Sequence, residues 1–274
     1  MRPLLVLLLL PIASPAAAWG DCEHRAERRA TLEAGGLRSL VLRAGAGDLE
    51  VIGERGRTTI EAVGSACADS AERLDQIRLD SGRDGDRARL VAVLPDSGGG
   101  WMGGNYASLS LVVRVPESLA VDAEDSSGDA RFAGFASLAV TDSSGDLRIE
   151  GIAGALSVAD SSGDIDVRET AGPVTVRRDS SGDIEISGVA SDVQVEEDTS
   201  GDIELRNIGG TARVGSDSSG GIVFDEIAGD VEVGRDGSGG IRANRVGGSF
   251  TVRADGSGGI SHAEVNGRVS IPAN

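Results

Sequence analysis

The residues with the clearest chemical potential are aspartates that recur at almost constant spacing. The motif Asp-Ser-Ser-Gly-Asp, seen in full at Asp179–Asp183, returns with variations along the second half of the chain. Its first aspartate occupies eight positions: Asp125, Asp142, Asp160, Asp179, Asp198, Asp217, Asp236 and Asp255. Its closing aspartate occupies five: Asp129, Asp146, Asp164, Asp183 and Asp202. Stacked rows of carboxylates could bind a divalent cation such as Ca²⁺, and paired carboxylates could act as acid and base on a glycan.

The cation hypothesis concerns the coils in which both rows are complete. Its candidate ligands are Asp160, Asp164, Asp179, Asp183, Asp198 and Asp202. Like charges about 4.8 Å apart repel by about 0.9 kcal/mol in water, so something must offset the repulsion. Backbone N–H groups within the turn can do so, and bound Ca²⁺ is the alternative. The period differs from that of glycine-rich Ca²⁺-binding nonapeptides, so we expect no cofactor and keep Ca²⁺ as the second hypothesis.

An enzymatic site is not expected from these residues. A catalytic site is a local departure from a repeat, whereas these acids recur identically in successive units. His24 and His262 are the only histidines, and no nucleophile–base pair is apparent. We therefore predict a non-enzymatic protein, with a polysaccharide-active β-helix enzyme as the remaining alternative.

The aspartates recur at steps of 17, 18 and then 19 residues, which indicates one structural unit stacked on its copies. In the unit that starts at Asp179, Ile184 and Ile186 alternate with polar residues, and Val193 and Val195 do the same. Alternation over short β-branched runs is typical of half-buried strands. The sequence therefore predicts an all-β fold, a single-stranded parallel β-helix (β-solenoid) of ~19-residue coils. Parallel crossovers favour a right-handed path, and a left-handed one stays open.

Three regions are predicted along the chain. Residues 1–18 resemble a secretory signal peptide, with Arg2 before an apolar run and Ala16–Ala18 at the cleavage site. Residues 19–120 lack the 19-residue step and are interpreted as irregular first coils that cap the solenoid. Residues 121–274 form the regular solenoid of eight coils. An exported chain favours a disulfide between Cys22 and Cys67.

Composition limits the partners. The formal net charge is −18 and all 26 basic residues are arginine, which disfavours binding to nucleic acid. The apolar run of the leader is too short to span a bilayer, so no transmembrane segment is expected. The glycine-rich segment from Gly98 to Tyr106 lacks the lysine of a phosphate-binding loop. It is interpreted as a surface loop, with Trp101 and Tyr106 as candidate partner contacts.

The repeated pattern Val-x-Val-x-x-Asp-Ser-Ser-Gly-Asp-Ile-x-Val, behind a signal peptide, resembles a bacterial family of exported β-strand-repeat proteins of unknown function, regarded as candidate adhesins. It is also similar to the head domains of candidate autotransporter adhesins. The resemblance covers roughly residues 37 to 271 and brings no catalytic or binding residues with it. It implies an interaction scaffold in the periplasm or at the cell surface.

The expected partner is a protein or glycan in the cell envelope or on a host or neighbouring surface. Head-to-tail self-association through the ends of the solenoid is a further option, because an open coil end presents unpaired backbone groups.

Overall fold

The computed structural model describes residues 22–96 and 106–272. Within these residues the chain forms two 12-stranded sheets and one short helix. The predicted signal peptide, residues 1–18, lies outside the described residues. The all-β class and the parallel β-solenoid are confirmed, with about eight turns built from ~19-residue coils.

The N-terminal part contains seven strands and the helix. Their bounds are β1 His24–Glu33, β2 Ser39–Arg43, β3 Leu49–Glu54, β4 Thr59–Ala68, α1 Ala71–Gln76, β5 Arg78–Asp84, β6 Arg87–Val93 and β7 Ala107–Pro116.

The regular part alternates strands between the two sheets. The strands that precede the aspartate turns are β8 Ala120–Glu124, β10 Ser137–Thr141, β12 Leu156–Ala159, β14 Val174–Arg178, β16 Val193–Asp198, β18 Ala212–Asp217, β20 Val231–Asp236, β22 Phe250–Asp255 and, at the end, β24 Val269–Ser270. The strands that follow the turns are β9 Ala130–Ala133, β11 Leu147–Glu150, β13 Ile165–Thr170, β15 Ile184–Val189, β17 Ile203–Ile208, β19 Ile222–Ile227, β21 Ile241–Val246 and β23 Ile260–Val265.

Each coil contributes one strand to each sheet and stacks in register on the next coil. Ile184 of β15 pairs with Ile203 of β17, which in turn pairs with Ile222 of β19, all in parallel. The same residue type therefore forms a column along the solenoid. The isoleucines of this column are fully buried, while the residues between them reach the outer face. The predicted strand alternation is confirmed, and the apolar core runs between the two sheets.

The first coils are not stacked in chain order. Strand β3 lies between β7 and β9, and β2 lies between β6 and β8. The β6–β7 coil thus packs outside the β2–β3 coil, although it comes later in the sequence. The segment Gly45–Val51, whose sequence resembles the repeat, does stack on the first regular turn. Ala46 bridges Ser127, and Leu49 pairs with Ala130.

The outer end of this part is closed by antiparallel strands. Strand β1 pairs with β4, β4 with β7, and β5 with β6. Strand β1 has no clear signal in the sequence, because its apolar residues are few and most of its exposed positions are charged. The disulfide between Cys22 and Cys67 is confirmed, with 5.8 Å between the two Cα atoms, and ties the start of β1 to the end of β4.

One corner of the coil places residues other than glycine in the left-handed region. Gly134, Gly151 and Gly188 occupy this position in three coils with φ between 67° and 77°. In five other coils the position holds Glu169, Asn207, Glu226, Arg245 or Glu264, with φ between 53° and 58°. A residue with a Cβ is strained in this conformation. The corner is therefore conformationally identical in coils whose residues differ.

Candidate functional site

The first aspartate of each turn lies inside the solenoid, next to the core. Seven of the eight are between 0 and 3% exposed, and we call them the inner column: Asp125, Asp142, Asp160, Asp179, Asp198, Asp217 and Asp236. In most coils one carboxylate oxygen accepts a hydrogen bond from the following backbone N–H. The distances are 2.7 Å from Ser143 to Asp142 and 2.7 Å from Ser161 to Asp160. The turn chemistry expected from the sequence is thus confirmed.

The second oxygen of these carboxylates is buried and has no hydrogen-bond partner among the described residues. This holds for Oδ2 of Asp142 and Asp160. Asp179 makes no well-formed hydrogen bond either, but the N–H groups of Ser180 and Ser181 still stabilise its charge and act against the rise of its pKa. Burial without compensation disfavours the charged form of a carboxyl group. Burial, followed by the charges of Asp198 and Asp160, raises the pKa of Asp179 to about 7. Burial likewise raises the pKa of Asp125 to about 7, against the opposing effect of the Ser126 N–H.

The closing aspartate of the turn behaves differently. It is exposed in four coils and half-buried at Asp146, and its Oδ1 accepts the backbone N–H of the equivalent residue in the next coil. The N–H of Asp183 donates to Asp164 at 2.9 Å, and that of Asp202 donates to Asp183 at 2.8 Å. We call this set the outer column: Asp129, Asp146, Asp164, Asp183 and Asp202. Backbone donors therefore offset the repulsion between its successive carboxylates.

The candidate metal ligands fall into both columns. Asp160, Asp179 and Asp198 belong to the inner column, and Asp164, Asp183 and Asp202 belong to the outer column. Among the described residues, no three His, Cys, Asp or Glu side chains come together in a group that could hold a metal ion. Ca²⁺ binding by these six residues stays a prediction, to be tested by calorimetry with Ca²⁺.

The glycine before the outer aspartate sets how closely the coils approach. Gly201 has a φ of +127°, and a Cβ built on it would lie 2.6 Å from the carbonyl carbon of Gly182 in the preceding coil. Non-bonded carbon atoms prefer 3.5–4.0 Å. The turn thus requires glycine at this position for two reasons: the backbone conformation and the close stacking of successive coils.

The outer faces of the sheets carry ion pairs between and within coils. Arg131 pairs with Glu150 at 3.4 Å and Arg213 with Glu232 at 3.5 Å. Exposed pairs of this kind add at most about 1 kcal/mol each. These pairs place charged side chains of both signs on the outer faces of the sheets.

A groove that the sequence analysis missed crosses the outer face of the N-terminal part. It has a volume of about 760 Å³ and is bordered by residues of β1, β3, β4, β7 and β9. Val63 and Val112 contribute apolar surface to it, and Arg25, Glu50 and Arg131 contribute charge. Only the pairing of distant strands brings these residues together, so no local sequence pattern could reveal the groove.

The predicted contact loop is only partly described. Trp101 lies outside the described residues. Tyr106 is 53% exposed, and its hydroxyl lies 2.8 Å from Oγ of Ser108. The N–H of Tyr106 donates to Asp69 at 3.1 Å, close to helix α1. A partner contact through Trp101 and Tyr106 stays a prediction.

The architecture defines the class of the protein: a β-solenoid repeat protein with a capped N-terminal end. The family described as Toastrack DUF4097 matches residues 72–269. The chain belongs to this family. Within the described residues, no helix has the length and apolarity needed to cross a membrane.

The chain also aligns with solved structures of candidate adhesion proteins. A candidate adhesin from Bacteroides fragilis is 12% identical, covers 91% of this chain and 98% of its own, with a TM-score of 0.40. One from Parabacteroides merdae is 10% identical, covers 92% and 97%, with a TM-score of 0.39. A candidate cell adhesion protein from Clostridium sporogenes is 14% identical, covers 90% and 99%, with a TM-score of 0.31. No curated protein matches the chain.

Proposed function

We propose that this chain is an exported, non-catalytic scaffold of the bacterial envelope or cell surface, which uses its flat faces for adhesion or interaction. The observation that carries the proposal is the uninterrupted stacking of equivalent coils from β8 to β23. The same columns repeat from coil to coil without an inserted loop in this region. A repeated surface suits contact with an extended partner better than chemistry at one point.

Two further features support export. The disulfide between Cys22 and Cys67 is of a kind that persists in oxidising compartments. The sequence of residues 1–18 has the composition of a secretory leader. The partner we propose is a protein or a glycan, bound through the charged outer faces or the groove beside β1.

The direct test is protease treatment of intact cells, followed by fractionation and detection of the mature chain. Removal by external protease would support a surface scaffold. Survival until the outer membrane is opened would place the chain in the periplasm and remove the adhesion role, leaving an internal envelope scaffold. Recovery in the cytosolic fraction would contradict the proposal.

The contact surface can be tested separately by binding to envelope fractions. Arg131→Glu changes the charge of the groove, and Arg213→Glu makes the same change on the opposite sheet, away from the groove. A loss of binding in the first variant alone assigns contact to the groove. Equal binding by both variants and the unmodified chain would exclude the groove as the contact surface.

A further inference from the structure

The inner column combines three observations that the scaffold role does not use. Its carboxyl groups are stacked in register: Asp198 pairs with Asp217, and Asp217 with Asp236. Strand spacing then sets successive Cα atoms about 4.8 Å apart. The side chains are almost fully buried, and each retains at least one oxygen without a donor.

A buried carboxylate oxygen without a donor is costly, so some species must satisfy it. Protonation removes the charge of the buried group, and with it the main cost of an oxygen that lacks a donor. The like charge of the next carboxylate in the column favours protonation as well. A divalent cation would need more oxygen ligands than the column offers, since no group of three candidate ligands occurs among the described residues.

We propose that the inner column is a proton-binding site, in which successive buried carboxyl groups hold protons along the solenoid. The ligand is the proton itself, taken up from water by a carboxylate to give a neutral carboxyl group. Because a charged member disfavours ionisation of the next, the groups titrate as interacting residues.

The electrostatic surroundings support this assignment. Burial is the largest cause of the raised pKa at Asp142, Asp198 and Asp217, each of which reaches about 6. The charges that face the column are carboxylates. They belong to neighbouring members of the column and to Asp48, Asp129, Asp146, Asp183, Asp202 and Asp255. Arg178 and Arg235 directly precede Asp179 and Asp236, but their side chains are exposed and do not contribute to the pKa of either aspartate.

The sign of the pH effect follows from linkage. The pKa of Asp179 rises from 3.8 when unfolded to about 7 when folded, so the folded chain binds this proton more tightly. Its contribution to stability is fully present below pH 3.8 and is lost as the pH rises towards 7. The solenoid should therefore tolerate mild acid better than neutral conditions, unlike proteins whose carboxylates are paired with bases.

The test uses the full mature chain and measures bound protons directly. Acid–base titration of the native protein is compared with titration in urea, between pH 3.8 and about 7. We expect the native protein to hold more protons than the unfolded chain throughout this window. Infrared spectroscopy should show the carbonyl band of protonated carboxyl groups at a pH where exposed aspartates are ionised.

Asp179→Asn provides the matched variant, since it is isosteric and removes one titrating group. It should reduce proton uptake on folding by about one and weaken the infrared band. Asp183→Asn, on the outer column of the same turn, should leave both unchanged. Because the wild-type measurements stand alone, the test does not depend on the variant folding.

Three outcomes would overturn the proposal. The native chain could bind no more protons than the unfolded chain. The infrared band could be absent, or unaffected by Asp179→Asn. Finally, Ca²⁺ could raise the melting temperature at fixed pH in the unmodified chain and not in Asp179→Asn, which would make the column a cation site.

Discussion

Replacing Gly201 by alanine tests how tightly successive turns are stacked. The added Cβ would lie 2.6 Å from the carbonyl carbon of Gly182, about 1 Å inside the preferred contact distance. The backbone of one coil must then move away from the next. Overpacking of this kind costs about 1–3 kcal/mol, and an L-residue at positive φ costs about 1–2 kcal/mol more. We expect a total loss of roughly 2–5 kcal/mol in the free energy of unfolding.

Gly56→Ala is the matched control. Gly56 also has a positive φ, +73°, but a Cβ there would have no other atom within 4 Å. Only the conformational cost of about 1–2 kcal/mol remains. The difference between the two variants therefore reports mainly the cost of separating two stacked turns, together with the less favourable φ of +127° at Gly201.

The assay is urea denaturation followed by far-ultraviolet circular dichroism, with hydrogen exchange to locate the destabilised coils. Exchange is needed because repeat arrays can unfold in segments. In Gly201→Ala the protection should fall first in β15 and β17. If Gly201→Ala is no more destabilising than Gly56→Ala, the turns do not stack as described here.

Three further replacements test local features of the fold. Glu169→Gly should stabilise the chain by about 1 kcal/mol, because it relieves a left-handed conformation that neighbouring coils assign to glycine; an unchanged denaturation midpoint would contradict this. Thr170→Val should stabilise by about 1–2 kcal/mol, because the Thr170 hydroxyl is buried without a partner; a lower midpoint would show that it has one. Replacing both Cys22 and Cys67 by serine should cost up to about 4 kcal/mol, since the disulfide closes a loop across 45 positions. Thermal melting with and without reductant checks the last expectation.

The repeat made the regular coils predictable from sequence. Columns such as Ile184, Ile203 and Ile222 align because a constant step places each residue above its equivalent. The Ser70 side chain accepts the Arg73 N–H at 3.3 Å and caps the short helix Ala71–Gln76.

The parts that were not predicted depend on contacts between distant segments. The groove joins β1 to β9, and no periodicity links these strands. The two aspartates of each turn look alike in sequence, yet one is buried and the other is exposed. The difference arises because the glycine between them reverses the chain, which directs Asp179 towards the core and Asp183 towards water. Strand β1 was missed because its pairing partner β4, rather than its own apolar content, makes it a strand.

The position of β2 and β3 between segments that come later in the chain has a consequence for assembly. These strands are synthesised before β6–β9, yet each has one neighbour from β6–β7 and the other from β8–β9. The first coil therefore cannot complete both of its edges until more than sixty further residues have emerged. Long loops must close before those contacts form, which slows the nucleation of a sheet. The later coils each add to a finished edge with a loop of a few residues. We therefore expect folding to nucleate slowly in the N-terminal part and then to proceed faster, coil by coil, towards the C-terminus.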